Sequence, residues 1–207
     1  MTSAREAIER LREGNRRFTS GMGSREAYVT HARRAELVQG QHPFAVVLGC
    51  SDSRVPVEII FDQGLGDLFV VRVAGNIVAP SQVASIEFAS ARFGARLVVV
   101  LGHSHCGAIA ATIEALQQSA ENQSRSLSSI IDRLRPSVEG LLATELRHDM
   151  KALGLHAGRA NVAVSVNCLR HDSQILEKLI RDEGLLVVGA EYSLDTGIVH
   201  FFEDDDQ

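Results

Sequence analysis

The sequence predicts a single α/β domain over residues 1–207, with a mostly parallel central sheet flanked by helices. Three short runs rich in Val and Leu are typical of strands buried on both faces: "FAVVLG" (44–49), "LFVVRV" (68–73) and "RLVVVLG" (96–102). Two further runs near the end, "LLVVGAEYS" and "GIVHFF", flank "LDTG" and predict a hairpin. Strands that alternate with helices and end in a hairpin indicate a parallel sheet with an antiparallel last strand.

The first helix is predicted to begin after Ser3. Ser3 and Glu6 have the spacing of a capping box, and apolar residues then recur with helical period up to Gly14. A second helix, between the second and third strands, is closed by Gly94, and a third follows Gly107.

The later part of the chain is also predicted to be mainly helical. After a polar loop at 120–126 we expect helix from about 127 to 153, broken near Pro136. The segment 161–184 begins with an alternation of Val that also suits a strand, but it continues into "SQILEKLI", which favours helix. The final "EDDDQ" is predicted to be a solvated acidic end.

Composition is that of one folded domain with a full core. Hydrophobic residues make up 45% and charged residues 23%, and the formal net charge is −5. This acidic balance, without a Lys/Arg cluster, argues against nucleic acid as a partner. We see neither a secretory signal nor an apolar run long enough for a membrane span, so we expect a cytoplasmic protein with no membrane partner.

Reactive side chains follow two of the predicted strands. Cys50, Asp52 and Arg54 come directly after the first strand, and His103 and Cys106 come directly after the third. Functional groups collect at the carboxyl ends of parallel strands, so these side chains converge if the two strands are neighbours. Two thiolates and an imidazole suit zinc, and a catalytic zinc keeps three protein ligands and one open position. The sequence therefore predicts a Zn²⁺ site at this edge of the sheet.

Each of these residues also has an ordinary structural explanation. A buried Cys is most often a small hydrophobe, and this is what we expect of Cys168, which has no ligand-like neighbour. Asp52 could be a turn residue and Arg54 its surface partner. Their joint occurrence at two strand ends favours a functional site.

The motifs "CSDSRV" and "HSHCGA" resemble those of the β-class carbonic anhydrases. The resemblance extends over nearly the whole chain, through "EGNRRF" (13–18), "RVAGNIV" (72–78), "SIEFA" (85–89) and "LLVVGAEYSLDTG" (185–197). It implies the strand order 2-1-3-4 with a fifth, antiparallel strand. It also implies an N-terminal helical arm at about 3–18 that embraces a second copy, in a homodimer or tetramer with the active-site cleft at the interface.

The resemblance further implies an activity and its residues. The activity is reversible hydration of CO₂ to bicarbonate by attack of zinc-bound hydroxide, with Cys50, His103 and Cys106 as ligands and Asp52 and Arg54 as a catalytic dyad. By its chemistry, Asp52 orients the hydroxide, or ligates the metal as a fourth ligand in a closed state, and Arg54 holds it away from the metal. The residues implied to bind substrate are Gln41, Phe69, Ala74, Phe88, Gly107 and Tyr192.

Two features concern proton transfer and regulation. His105 is the nearest candidate in sequence for a proton shuttle. Val47 stands where family members that bind bicarbonate at a second pocket have Trp, which puts such regulation in doubt.

Two other functions stay open on the sequence. One is a CS₂ or COS hydrolase with the same zinc site. The other is a thiol-dependent redox protein that uses Cys50 or Cys106, although no Cys-x-x-Cys pair supports it. Asp52 and Arg54 favour zinc catalysis, because a redox or purely structural site does not need them.

Overall fold

The computed structural model describes residues 2–23, 30–117 and 125–202. The strands are β1 (Ala45–Gly49), β2 (Leu68–Arg72), β3 (Leu97–His103), β4 (Leu186–Tyr192) and β5 (Val199–Phe201). The helices are α1 (Ala4–Thr19), α2 (His31–Leu37), α3 (Val57–Ile60), α4 (Pro80–Phe93), α5 (Gly107–Gln117), α6 (Arg125–Leu142), α7 (Met150–His171) and α8 (Gln174–Glu183). Two short 3-10 turns span Ala74–Asn76 and Glu145–His148.

The five strands form one sheet in the order β2-β1-β3-β4-β5. The first four are parallel, and β5 is antiparallel to β4. The predicted fold class and strand order are confirmed. Since β1 lies between β2 and β3, Gly49 is paired with both Arg72 and Leu101. The carboxyl ends of β1 and β3 therefore meet, as the site prediction required.

The sheet is covered on both faces. Every residue of β1 and β3 is buried, which explains why these strands read as continuous apolar runs. Val47 and Val99 point into the core that contains α1, whereas Val46 and Val98 point into the core that contains α4, α7 and α8. This alternation follows from the two-residue period of a strand.

Helix α1 packs on the sheet of its own chain. Its predicted capping box is present, with hydrogen bonds in both directions between Ser3 and Glu6, and the helix continues past Gly14 to Thr19. Gly14 is required where it lies, because a Cβ there would be 1.8 Å from the carbonyl oxygen of Phe61. Asn15 accepts a hydrogen bond from the N–H of Val199 at 2.9 Å and so ties the helix to β5. An embrace of a second copy by this helix stays a prediction.

The expected helix break at Pro136 is wrong. Pro136 lies inside α6, which is continuous over 18 residues, and the chain breaks later, around the turn Glu145–His148. Leu134 and Val138 on either side of the proline are fully buried and hold the helix on the core. Pro136 and Asp132, four residues before it, are both exposed, so the side of the helix that carries the proline faces solvent.

The remaining helical predictions are confirmed. The helix closed by Gly94 has that glycine in the left-handed conformation, and the ambiguous segment 161–184 is helical, divided at Ser173, which caps α8. The predicted loop 120–126 lies outside the described residues, except that 125 and 126 belong to α6, and the acidic end 203–207 lies outside them too. Of the helices in the described part of the chain, none has both the length and the apolar character that crossing a membrane requires.

Candidate metal centre

Cys50, His103 and Cys106 come together at the carboxyl ends of β1 and β3. One ligand atom from each residue lies within 4.8 Å of the others, and all three residues are buried. His103 Nδ1 is 2.9 Å from the carbonyl oxygen of Ser104. A carbonyl only accepts, so Nδ1 carries the proton and Nε2 keeps a lone pair. Among the described residues this buried Nε2 has no hydrogen-bond partner, as expected of a nitrogen that ligates a metal.

The charge state of the two thiols also suits a cation. A hydrogen bond from Cys106 to Cys50, together with the N–H of Gly75, lowers the pKa of Cys50 to about 4. The same hydrogen bond and burial raise the pKa of Cys106. One sulfur is thus favoured as thiolate and the other as thiol, and a divalent ion that bound both sulfurs would displace the remaining proton. The donor set of two sulfurs and one imidazole fits Zn²⁺.

Asp52 and Arg54 form the predicted pair at the edge of this Cys–His–Cys cluster. Arg54 donates from Nε to Asp52 Oδ1 at 2.9 Å and from Nη2 to Asp52 Oδ2 at 2.7 Å. These bonds from the guanidinium hold the pKa of the Asp52 carboxyl well below its usual range. Asp52 Oδ2 is 3.9 Å from His103 Nε2, so the ionised carboxylate borders the cluster without filling it.

Three residues of the site escaped the sequence analysis as functional candidates. The N–H of Gly75 donates to Cys50 Sγ at 3.3 Å, and the buried side-chain amide of Asn161 on α7 donates to Gly75 O at 2.8 Å. Arg72, the last residue of β2, donates to the backbone carbonyls of Cys50 and Asp52. A single Arg at the end of an apolar strand is a signal that could have been noticed. Asn161 has none, because its partner lies 86 positions away.

Of the predicted substrate residues, three lie beside the cluster. Ala74 precedes the glycine that contacts Cys50. Gly107 begins α5 directly after Cys106, and a Cβ there would meet nothing within 4 Å. Tyr192 is the register partner of His103, and burial in the core under α1 raises the pKa of its hydroxyl.

The other three predicted substrate residues, Gln41, Phe69 and Phe88, lie elsewhere on the same chain. Phe69 pairs with Val46, about 13 Å along the strand from Cys50 at the usual rise per residue. Its ring contacts those of Phe88 and Phe93, and Phe93 also lines a cleft of about 630 Å³ with Gln41. We call this surface, made of Phe69, Phe88, Phe93 and Gln41, the aromatic face.

His105 and Val47 have structural contacts. His105 is half-exposed, its Nε2 is 3.4 Å from an oxygen of Asp195, and its carbonyl accepts from Arg54 Nη2 at 3.2 Å. Val47 is fully buried in the core of the sheet.

The family model described as "Carbonic anhydrase" matches residues 45–199, which include every residue of the cluster and the pair beside it. The chain belongs to the carbonic anhydrase family. It is an enzyme of the β class of this family, as its resemblance to that class predicted.

Named relatives agree. Carbonic anhydrase 2 of Mycobacterium tuberculosis is 39% identical over 192 residues, which cover 92% of this chain and 89% of that protein. A carbonic anhydrase of Mycolicibacterium smegmatis is 46% identical over 132 residues, 64% of this chain and 63% of that one. A tetrameric β-carbonic anhydrase from the fungus Sordaria macrospora superposes with a TM-score of 0.73 at 28% identity, covering 82% of this chain and 85% of the other.

Proposed function

We propose that this carbonic anhydrase interconverts CO₂ and bicarbonate with a zinc ion held by Cys50, His103 and Cys106. The observation that carries the proposal is the buried Cys–His–Cys cluster, in which His103 Nε2 has no hydrogen-bond partner in the described part of the chain. When bound, zinc acidifies water to a pKa of roughly 7, the value established for carbonic anhydrases with all-histidine sites, and so supplies a nucleophile at neutral pH.

Asp52 orients the attack. Its carboxylate is ionised at neutral pH, as an aspartate ordinarily is, and Arg54 lowers its pKa further. It can therefore only accept a hydrogen bond. By accepting a hydrogen bond from the O–H of the nucleophile, it would direct a lone pair of that oxygen towards the carbon of CO₂. Arg54 engages both oxygens of Asp52 and so opposes their turning to the metal. If this pair broke, Asp52 would be free to serve as a fourth ligand in a closed state.

The substrate is small and apolar, which calls for an apolar pocket with few donors. Ala74, Gly107 and Tyr192 supply its walls from the chain that holds the cluster. Gln41, Phe69 and Phe88 lie on the aromatic face, so in one chain they do not reach that cluster. We assign them to the site of a second copy, in a homodimer or a tetramer like the fungal relative.

Neither of the two alternative functions, hydrolysis of CS₂ or COS and thiol-dependent redox chemistry, is supported. The matching family and the relatives described above are all carbonic anhydrases. The dyad beside the cluster also has no role in thiol redox chemistry.

The test is CO₂ hydration by stopped flow on protein of measured zinc content, from about pH 6.5 to 9, the range around the expected pKa of the nucleophile. We expect one zinc per chain, a rate that rises with pH, and loss of the rate on chelation with recovery on zinc addition. Cys106→Ser should lose both zinc and activity. The matched control is Cys168→Ser, since Cys168 lies on α7 outside the cluster and should be replaceable without loss of either.

Two results would contradict the proposal. Zinc-loaded protein that does not hydrate CO₂ at any pH would exclude the activity, and CS₂ and COS would then be tried as substrates. Protein that binds no zinc, or that keeps zinc after Cys106→Ser, would exclude the ligand set.

A further inference from the structure

Arg72 contacts the ligand-bearing loop in a way that the chemistry described so far does not use. It is the last residue of β2 and the register partner of Gly49, so its side chain starts beside the point where β1 ends. Its Nε donates to Cys50 O at 2.9 Å, and its Nη2 donates to Asp52 O at 2.6 Å. One guanidinium therefore binds two carbonyls of the three-residue stretch that carries both a metal ligand and the orienting carboxylate.

The neighbouring backbone hydrogen bonds do not replace these two bonds from Arg72. The ladder between β1 and β2 continues one step further, with Val73 N–H donating to Gly49 O at 3.1 Å and Ser51 N–H donating to Val73 O at 3.3 Å. Asp52 O also accepts from the N–H of Val55 at 3.0 Å. These bonds leave Cys50 O to Arg72, and Arg72 adds a second bond to Asp52 O, so it joins both carbonyls to β2 at the edge of the sheet.

The position of Asp52 is thus determined from two sides. Arg54 holds the carboxylate, and Arg72 holds the backbone from which that carboxylate projects. Arg54 is itself anchored to the second ligand segment through the carbonyl of His105. A shift of the Asp52 backbone towards the metal position would break the bond from Arg72 to Asp52 O, so Arg72 opposes that shift.

We infer that Arg72 is a positioning residue for the reaction: by binding the carbonyls of Cys50 and Asp52, it keeps the Asp52 carboxylate beside the metal position rather than on it. The inference rests on the proposed role of Asp52. Contacts of this kind behind a metal site typically change metal affinity or activity about 10-fold to 100-fold when they are removed.

The experiment compares Arg72→Met, which has no donor, with Arg72→Lys, which keeps the charge but has no planar fork. Rates are measured by stopped flow on proteins of equal zinc content, and urea unfolding verifies the fold. We expect kcat of Arg72→Met to fall about 10-fold with little change in KM, and Arg72→Lys to lie in between. The matched control is Arg170→Met, because Arg170 also donates twice to a backbone carbonyl, that of Val187 near the start of β4. Its kcat should be unchanged.

Two further readouts separate positioning from a general structural role. With Co²⁺ in place of zinc, the visible spectrum should change in Arg72→Met and not in Arg170→Met, because the geometry around the metal changes. In an Asp52→Asn background, Arg72→Met should lower kcat by less than about twofold, since residues that act as one unit are not additive.

The outcomes are distinct. A wild-type kcat and Co²⁺ spectrum for Arg72→Met, or an equal effect with and without Asp52→Asn, would overturn the positioning role while the proposed function stands. If Arg72→Met does not fold, a wild-type kcat in Arg72→Lys would show that the two hydrogen bonds from the Arg72 guanidinium do not matter for the reaction. An Asp52→Asn variant that keeps full activity would overturn the proposed role of Asp52 and the inference with it.

Discussion

At the scale of single residues, the site depends on a carboxylate that must stay ionised next to a metal position without binding the metal. Asp52 can do so because Arg54 donates to both of its oxygens, at 2.9 and 2.7 Å. These charge-assisted bonds favour the ionised form and also restrain both oxygens, each of which keeps a lone pair for a further hydrogen bond. The low pKa of Asp52 and its restrained position therefore have the same cause.

Replacing Arg54 should alter both properties. In Arg54→Gln we expect the pKa of Asp52 to rise towards its unperturbed value of about 3.9. In the wild type the carboxyl should stay ionised as the pH falls through that value, because its pKa is depressed. NMR of the protein labelled with ¹³C at the aspartate carboxyl groups measures the titration directly, over the acid range in which the protein remains folded.

The same variant should lose CO₂ hydration by about 10-fold to 100-fold, as for other residues that orient a group at a metal. Arg181→Gln is the matched control, because Arg181 forms a comparable pair with Asp182 on α8, away from the site. A wild-type titration of Asp52 in Arg54→Gln would show that Arg54 does not control this carboxyl.

The sequence identified the residues whose chemistry is unusual for their position, and failed where ordinary residues act through long-range contacts. Cys50, Asp52, Arg54, His103 and Cys106 stand out because reactive groups at two strand ends are rarely accidental. Gly75 and Asn161 act through a hydrogen bond to a sulfur and another to a carbonyl. Their importance depends on the packing of α7 against the turn Ala74–Asn76, which no local pattern reveals.

At the scale of elements, α7 packs closely on the sheet because Val162 of the helix lies against two glycines, Gly102 and Gly189, that have no side chain. A Cβ on Gly102 of β3 would lie 2.6 Å from Val162 Cγ2, and a Cβ on Gly189 of β4 would lie 2.7 Å from Val162 Cγ1. Val162 is almost fully buried, so it has no space into which to retreat. This close approach brings Asn161 of the same helix to Gly75 and so connects the packing of α7 with the metal site.

Gly102→Ala should therefore destabilise the protein by overpacking, with a loss of about 2 kcal/mol in the free energy of unfolding. Val162→Ala removes both Cγ atoms, so in that background Gly102→Ala should cost little. Urea unfolding of the four zinc-loaded proteins gives the coupling between the two positions. Additive losses would mean that the clash with Val162 is not the reason for glycine at this position.

The elements themselves show where local patterns suffice. Strands buried on both faces and helices with strong caps were predictable, because each pattern has one physical cause. Pro136 was misjudged because the effect of a proline depends on which side of the helix faces solvent. That side is set by the burial of Leu134 and Val138, which a local pattern of residues does not determine.

At the scale of the whole molecule, the chain exposes apolar side chains on and beside the aromatic face. Phe88 on α4 is 53% exposed and Val38, beside the cleft of Gln41, is 79% exposed. Phe88 stacks edge-on against Phe93 with ring centroids 5.4 Å apart. Apolar patches of this kind mark interaction sites. The residues implied to complete the substrate pocket lie on the same surface.

The substitution Phe88→Arg tests whether this surface joins two copies and completes the site. A charge at the centre of an apolar interface should cost about 2 kcal/mol or more in association, which raises the dissociation constant about 30-fold. We expect light scattering to show dissociation into smaller species on dilution. CO₂ hydration per zinc should fall as well, because the pocket loses both the second copy and the Phe88 ring. Ile175→Arg is the control, because Ile175 is 48% exposed on α8, which carries no predicted site residue. A dissociated Phe88→Arg protein with full activity would show that one chain holds a complete site, since Gln41, Phe69 and Phe88 would then be dispensable for the reaction.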